Sequence, residues 1–202
     1  MSSSTAGVTV IWDFQYAWIP EGYDLRTLKT SIETSLKRCN PEFFIQGKLL
    51  AVGTATGDKH QTITTLPDDF EISPVRPDNI RTPDPEVLTR QISMLGSGTH
   101  VIVFLLSDQT ALQLVIKLSM KVLAKAANIL VISGNYDLMG AINGWRQRDI
   151  FMMLALPESS SSPDFYHFAN VNWLWASDDP ESAAAAMVNG GGPIPPVPRV
   201  RG

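Results

Sequence analysis

Short apolar runs alternate with amphipathic segments along most of the chain, and this alternation predicts strands that alternate with helices. The β-branched and apolar runs predict five strands, at residues 8–12, 48–53, 100–106, 129–132 and 150–156. Apolar positions at helical spacing predict helices between them, at residues 24–38, 84–95, 108–126 and 137–148. Because nearly every strand residue is apolar, we expect a parallel sheet that is covered on both faces.

The pattern predicts an α/β fold, a three-layer sandwich with a mainly parallel central sheet of about five strands. We expect one folded domain at residues 8–178, with a long insertion at 54–84. The stretches "FEISPVRP" and "FANVNWLW" are candidates for two further strands. Residues 1–7 are expected to be disordered, and so is the Ala, Gly and Pro-rich segment 179–202, because such a composition builds no core.

Composition and charge narrow the classes of function. A formal net charge of -4 gives no overall attraction to polyanions, so nucleic-acid binding would need a local basic patch. A single cysteine, Cys39, excludes an internal disulfide framework and a Cys-rich zinc site. No Walker loop or dinucleotide glycine motif follows the first strand. No apolar run approaches the roughly 20 residues of a membrane span, so we expect an intracellular, cytoplasmic protein with no membrane partner.

Three predicted strands end at or near an aspartate, namely Asp13, Asp108 and Asp137. The carboxyl ends of parallel strands share one edge of a sheet, so these side chains are expected to converge. Carboxylate oxygens are the ligands that Mg²⁺ prefers, and Asn135 would add a neutral amide oxygen. The sequence therefore indicates a candidate metal site. The alternative is that each aspartate caps a following helix, which suits Asp108 and Asp137 better than Asp13.

Two motifs carry a family resemblance that spans about residues 8 to 178. The first is "VIWDFQYAWIPEGYD", with Trp12, Asp13, Pro20 and Gly22. The second joins "VISGNYD" to "WRQRDIFMMLALP", with Ser133, Gly134, Asp137, Arg146 and Arg148, and an aromatic "NWLWASDDP" follows. In these stretches the chain resembles an NYN domain, the PIN-like ribonuclease fold, as found in plant proteins related to the meiosis regulator and mRNA stability factor (limkain) family.

The chain departs from the family at several acidic and polar positions. Tyr16 stands where the family has Asn, Thr54 and Asn135 stand where it has Asp, and no acidic residue occurs near Gln113 and Leu114. The resemblance therefore implies a degenerate acidic site with fewer charges to hold Mg²⁺ or Mn²⁺.

The implied function is in RNA metabolism and the regulation of gene expression, as a weakly active or inactive endoribonuclease that acts as an RNA- or protein-binding module. The alternative is an active Mg-dependent endoribonuclease in which Asp13, Asp108 and Asp137 are catalytic. The sequence leaves open whether the chain is an enzyme. A flavodoxin-like small-molecule binder is a third candidate, because the sheet pattern is generic. The resemblance also gives the peroxisome as an alternative location.

Two further features concern partners. Lys117, Lys121 and Lys125 recur every four residues, and with Arg146 and Arg148 they are candidate contacts for RNA phosphates. The alternative is that the lysines form a solvated helix face. The run "PIPPVP", in residues 193–198, is a candidate polyproline II ligand for a protein partner, or a plain linker.

Overall fold

The computed structural model describes residues 6–46, 49–54, 70–73, 101–106, 128–160 and 163–195, and the structural statements that follow concern these residues. They contain eight strands: β1 (Gly7–Asp13), β2 (Phe44–Ile45), β3 (Leu49–Thr54), β4 (Phe70–Ser73), β5 (Val101–Leu106), β6 (Asn128–Ile132), β7 (Phe151–Leu156) and β8 (Val171–Leu174). They also contain three α-helices: α1 (Leu28–Cys39), α2 (Met139–Arg146) and α3 (Pro180–Ala183).

The strands form one parallel sheet in the order β4-β5-β3-β1-β6-β7-β8, and β2 pairs with the amino end of β1. The five strands expected from the apolar runs are all present as β1, β3, β5, β6 and β7. The two candidate strands are present as β4 and β8, which are the two outermost strands of the sheet. The predicted α/β fold with a mainly parallel sheet is therefore confirmed.

The first helix illustrates how local sequence gives local structure. The Asp24 side chain accepts a hydrogen bond from the backbone N–H of Arg26 and caps a 3₁₀ turn, Leu25–Thr27, that leads directly into α1. Leu28, Ile32 and Leu36 follow at intervals of four residues, and all three are fully buried. The helix is therefore stabilised by one apolar stripe that faces the sheet.

Side chains alternate between the two faces of the sheet, and each face has its own core. On one face, Val10 and Trp12 of β1 belong to the cluster that contains the apolar stripe of α1. On the other face, Ile11 belongs to the cluster that contains Met139 and Ile142 of α2. Helices therefore cover both faces, and the molecule has the three layers that the apolar strands predicted.

The segment after residue 178 is part of the folded domain, so the prediction of disorder is wrong for residues 179–195. Ala186, Met187 and Val188 are buried in the same core as α1. The Tyr23 hydroxyl donates a hydrogen bond to the backbone oxygen of Val188 at 2.9 Å, and the Ser35 hydroxyl donates to that of Met187 at 3.2 Å. These few apolar residues cover α1, although the average composition of the segment is typical of a linker.

Two glycines shape this segment. Gly190 has a φ of 76°, a left-handed conformation that favours glycine. A Cβ on Gly191 would lie 1.8 Å from the backbone oxygen of Ala185, so no other residue fits without a shift of the backbone. The glycines therefore close a tight turn, and here they do not indicate disorder.

Other predictions lie outside the described residues. These are the helices at 84–95 and 108–126, most of the insertion at 54–84, and residues 1–5 and 196–202. At the amino terminus, the expected disorder at residues 1–7 is wrong for Gly7, which begins β1. No helix in the part of the chain that the structure describes has the length and apolar character needed to cross a membrane.

We expect Met187→Ala to lower the free energy of unfolding by roughly 2 to 5 kcal/mol, because it removes a fully buried side chain and leaves a cavity. Urea denaturation followed by circular dichroism measures the change. Glu181→Ala, at an exposed position of α3, is the control and should change stability by less than about 0.5 kcal/mol. Equal and small effects of both substitutions would contradict the packing of this segment on α1.

Candidate functional site at the carboxyl ends of β1 and β6

Between the adjacent strands β1 and β6, the side of the sheet to which the chain adds its next strand changes. From β1 the chain passes through α1 to β3 on one side, and from β6 it passes through α2 to β7 on the other. The two helices pack on opposite faces of the sheet. In open parallel sheets, a crevice opens at the carboxyl ends of two such strands and is the usual place for a ligand.

Asp13 is the last residue of β1, and its side chain is completely buried. Its Oδ2 accepts a hydrogen bond of 2.7 Å from the Ser133 hydroxyl, and its Oδ1 accepts one of 3.2 Å from the backbone N–H of Gln15. Burial raises the pKa of Asp13 to about 7, although these hydrogen bonds act in the opposite direction. Asp13 therefore holds a proton for much of the time at neutral pH.

Ser133 and Asn135 connect Asp13 to the loop that follows β6. The Ser133 hydroxyl oxygen accepts a hydrogen bond of 3.0 Å from the backbone N–H of Asn135. The Asn135 Oδ1 accepts one of 3.0 Å from the backbone N–H of Asp137 and so caps the 3₁₀ turn Tyr136–Leu138. The buried Asn135 Nδ2 has no hydrogen-bond partner within the residues that the structure describes. The amide oxygen of Asn135 is thus engaged, and its remaining group is a donor.

Tyr16 joins the two loops at this edge. The backbone N–H of Gly134 donates to the backbone oxygen of Tyr16 at 3.2 Å. A Cβ on Gly134 would lie 2.4 Å from the Ser160 hydroxyl oxygen, so glycine permits this close approach. Burial, and then the negative charges of Asp13 and Asp137, raise the pKa of the Tyr16 phenol. Both carboxyl groups therefore act on the same phenol.

The structure places Asp13 and Asp137 at one edge of the sheet, but in different environments. Asp13 is buried, whereas Asp137 is exposed. Asp108, the third predicted carboxylate, lies outside the described residues. The side chain of Thr54, at the end of β3, is likewise not among those described.

These residues do not by themselves fit a magnesium centre. The described ranges contain no group of three or more His, Cys, Asp or Glu side chains that could hold a metal ion. The oxygen of Asn135 already accepts a backbone hydrogen bond, and its free nitrogen would repel a cation.

Two contributions of the loop after β6 were missed by the sequence reasoning. Ser133 donates a hydrogen bond to Asp13, and its position directly after a predicted strand was the available signal. Tyr136 is 60% exposed, and its ring packs edge-on against Phe165 with centroids 5.2 Å apart. An aromatic residue between two polar residues in a loop was the signal for an exposed ring.

The two predicted cationic contacts that the structure describes, Arg146 and Arg148, do not lie at this edge. The helix α2 begins near the carboxyl end of β6 and runs back towards the amino edge, where Arg146 donates a hydrogen bond of 2.6 Å to the backbone oxygen of His167. The Arg148 guanidinium lies 5.2 Å from the centre of the Trp145 ring. Lys117, Lys121 and Lys125 lie outside the described residues.

The fold and the groups at the carboxyl ends of β1 and β6 define a class of protein. It is an α/β protein with a parallel sheet and a partly acidic crevice between these two strand ends. Comparison of the chain with protein-family models, curated proteins and solved structures found no match. The resemblance to the NYN family therefore depends on the sequence motifs and stays a prediction.

We expect the stability of the protein to depend on the proton of Asp13. The folded state binds this proton more tightly than the unfolded chain, in which the pKa is about 3.9, so the free energy of unfolding should fall as the pH rises from about 4 to about 7. The loss from this residue is at most roughly 4 kcal/mol. Asp13→Asn should remove this pH dependence, as measured by urea denaturation at several pH values.

The matched control is Asp137→Asn, which makes the same chemical change at an exposed position on the same edge. It should leave the pH dependence close to that of the wild type. If Asp13→Asn and the wild type lose stability in parallel across this range, the folded protein does not retain the Asp13 proton.

Proposed function

We propose that the chain is an NYN-type module of RNA metabolism that binds single-stranded RNA and has lost most or all hydrolytic activity. The single observation that carries this proposal is the condition of the crevice, where Asp13 is buried while Asn135 uses its oxygen to cap a turn. A role in the regulation of gene expression would follow from binding alone.

Loss of hydrolysis is supported by the ligands that remain. Metal-assisted phosphodiester hydrolysis needs several anionic oxygens to hold the cation and orient the attacking water. Asn135 brings no charge, and Asp13 is shielded from solvent. A Mg²⁺ or Mn²⁺ cofactor is therefore proposed only for the alternative below.

Binding of RNA is supported by the same edge. Tyr136 exposes more than half of its surface between Asn135 and Asp137. Exposed aromatic rings stack on unpaired bases without regard to sequence, and this is the common mode of single-strand recognition. A protonated Asp13 would also repel phosphates less than an ionised one. Contacts from Lys117, Lys121 and Lys125 would add the salt-dependent part of the affinity.

The alternative function is an active Mg-dependent endoribonuclease. The observation in its favour is that Asp13 and Asp137 lie at the same edge, where both raise the pKa of Tyr16. In that case Asp108 would complete the site. The two functions differ in one measurable property, the cleavage of RNA.

Two further proposals concern partners and location. Protein partners could bind the proline-rich run, of which residues 193–195 are described and the rest are not. The backbone N–H of Ile194 donates to the backbone oxygen of Asn172 at 2.7 Å, so the described part of this run is held against β8. The cytoplasm is the proposed location, with the peroxisome as the alternative from the family resemblance.

We expect the purified protein to leave labelled single-stranded RNA intact in the presence of Mg²⁺ or Mn²⁺, because the cation has too few anionic ligands. Gel electrophoresis over a time course measures the intact RNA. Asn135→Asp should strengthen binding of Mn²⁺, followed by calorimetry, because it adds a carboxylate beside Asp137. Cleavage by the wild-type protein that Asp13→Asn abolishes would show that the alternative function is correct.

We expect Tyr136→Ala to raise the dissociation constant for oligouridine at least about fivefold, since stacking on one base contributes roughly 1 to 3 kcal/mol. Fluorescence anisotropy of a labelled strand measures the change. Phe44→Ala is the matched control, because Phe44 is the other exposed large aromatic residue in the described ranges and lies at the opposite edge of the sheet. Equal effects of the two substitutions would exclude Tyr136 as a stacking platform.

A further inference from the structure

A cavity of about 370 Å³ lies at the amino edge of the sheet, away from Asp13. It is bounded by the ends of α1 and α2, by the start of β8 and by residues 193–195. Its volume falls within the range of small-molecule sites, and these elements are held in place by the core. No part of this cavity belongs to the crevice at β1 and β6.

The walls of the cavity are cationic. Arg38 comes from the last turn of α1, and Arg146 comes from the last residue of α2. Since these helices pack on opposite faces of the sheet, the two guanidinium groups approach the cavity from different sides. Among the residues that the structure describes, no aspartate or glutamate lines the cavity.

Neither arginine is neutralised by a carboxylate within the described residues. The ion pair found there joins Arg26 to Asp24, at another place in the fold. Cys39 also lines the cavity, and burial raises the pKa of its thiol, so it adds no negative charge at neutral pH. In a chain with a net charge of -4, this cavity is a local positive site.

Asn172 also lines the cavity, but its side-chain oxygen is closed off from it. Its Nδ2 donates a hydrogen bond of 3.0 Å to the backbone oxygen of Tyr166. Its Oδ1 is buried and has no hydrogen-bond partner in the part of the chain that the structure describes. A ligand in the cavity does not reach this oxygen, so the two arginines carry the recognition.

A purely structural role explains only part of this arrangement. An arginine in the last turn of a helix stabilises the negative end of the helix dipole, and both arginines have that position. The helix dipole does not account for the cavity that both arginines line, or for the lack of carboxylates among the described residues of its lining.

We propose that this cavity binds a small phosphate monoester. The nearly dianionic phosphate matches two guanidinium groups, which bind phosphate oxygens with paired hydrogen bonds. Nucleoside monophosphates and sugar phosphates share this chemistry. The proposal is independent of the proposed RNA function. The cavity lies at the amino ends of the strands, whereas the proposed RNA surface lies at their carboxyl ends.

Calorimetry with AMP and ribose phosphate tests the proposal, with adenosine and ribose as phosphate-free counterparts. We expect at least one of the phosphates to bind, about tenfold or more tightly than its phosphate-free counterpart, and Arg38→Gln to weaken that binding about tenfold. Binding of AMP alone would identify a nucleotide site, and binding of ribose phosphate a sugar phosphate site. Lys37→Gln makes the same charge change at an exposed neighbour outside the cavity and should weaken binding less than about twofold.

Three results would overturn the proposal. These are no binding of either phosphate, equal binding of the phosphate-free compounds, and equal weakening by Lys37→Gln and Arg38→Gln. The melting temperature of each variant without ligand shows that it is folded, and Arg146→Gln gives a second, independent test of the same cavity.

Discussion

The burial of β1 between β3 and β6 is the constraint on which the rest of the structure depends. All seven residues of this strand are buried, so it supplies apolar side chains to both faces of the sheet and fixes the positions of α1 and α2. The same burial extends to its last residue. Asp13 is therefore held out of water by the fold itself, and its proton affinity is a direct result of its place in the sheet.

The two ends of the sheet consequently differ in chemistry. At the carboxyl edge, strand ends and turns bring together acidic and amide groups, because the loops after β1 and β6 meet at Tyr16 and Gly134. At the amino edge, the last turns of the helices bring Arg38 and Arg146 to one cavity. This separation is a property of parallel sheets, since each crossover helix returns the chain to the edge opposite to the one it left.

The sequence was most informative where a local pattern of apolar side chains is enough to decide that a segment forms a strand or a helix. The apolar runs predicted five strands, and the spacing of Leu28, Ile32 and Leu36 predicted α1, because burial of these residues needs no knowledge of distant partners. Pairings over long distances could not be read in this way. The bond between Ser133 and Asp13 joins residues 120 positions apart, and the order of the strands decides it. The segment 179–195 was misjudged because Met187 and Val188 pack on α1 in spite of a linker-like average composition.

The packing of residues 186–188 on α1 also affects how the protein is made. The residues of α1 are synthesised early, but the residues that pack on it at 186–188 leave the ribosome about 150 positions later. Until then the nascent chain carries an uncovered apolar surface, with Tyr23 and Ser35 lacking the backbone oxygens that they bind in the finished fold. A chaperone that recognises exposed apolar helices would therefore have access to α1 for most of synthesis. This access would end when residues 186–188 leave the ribosome and pack on the helix.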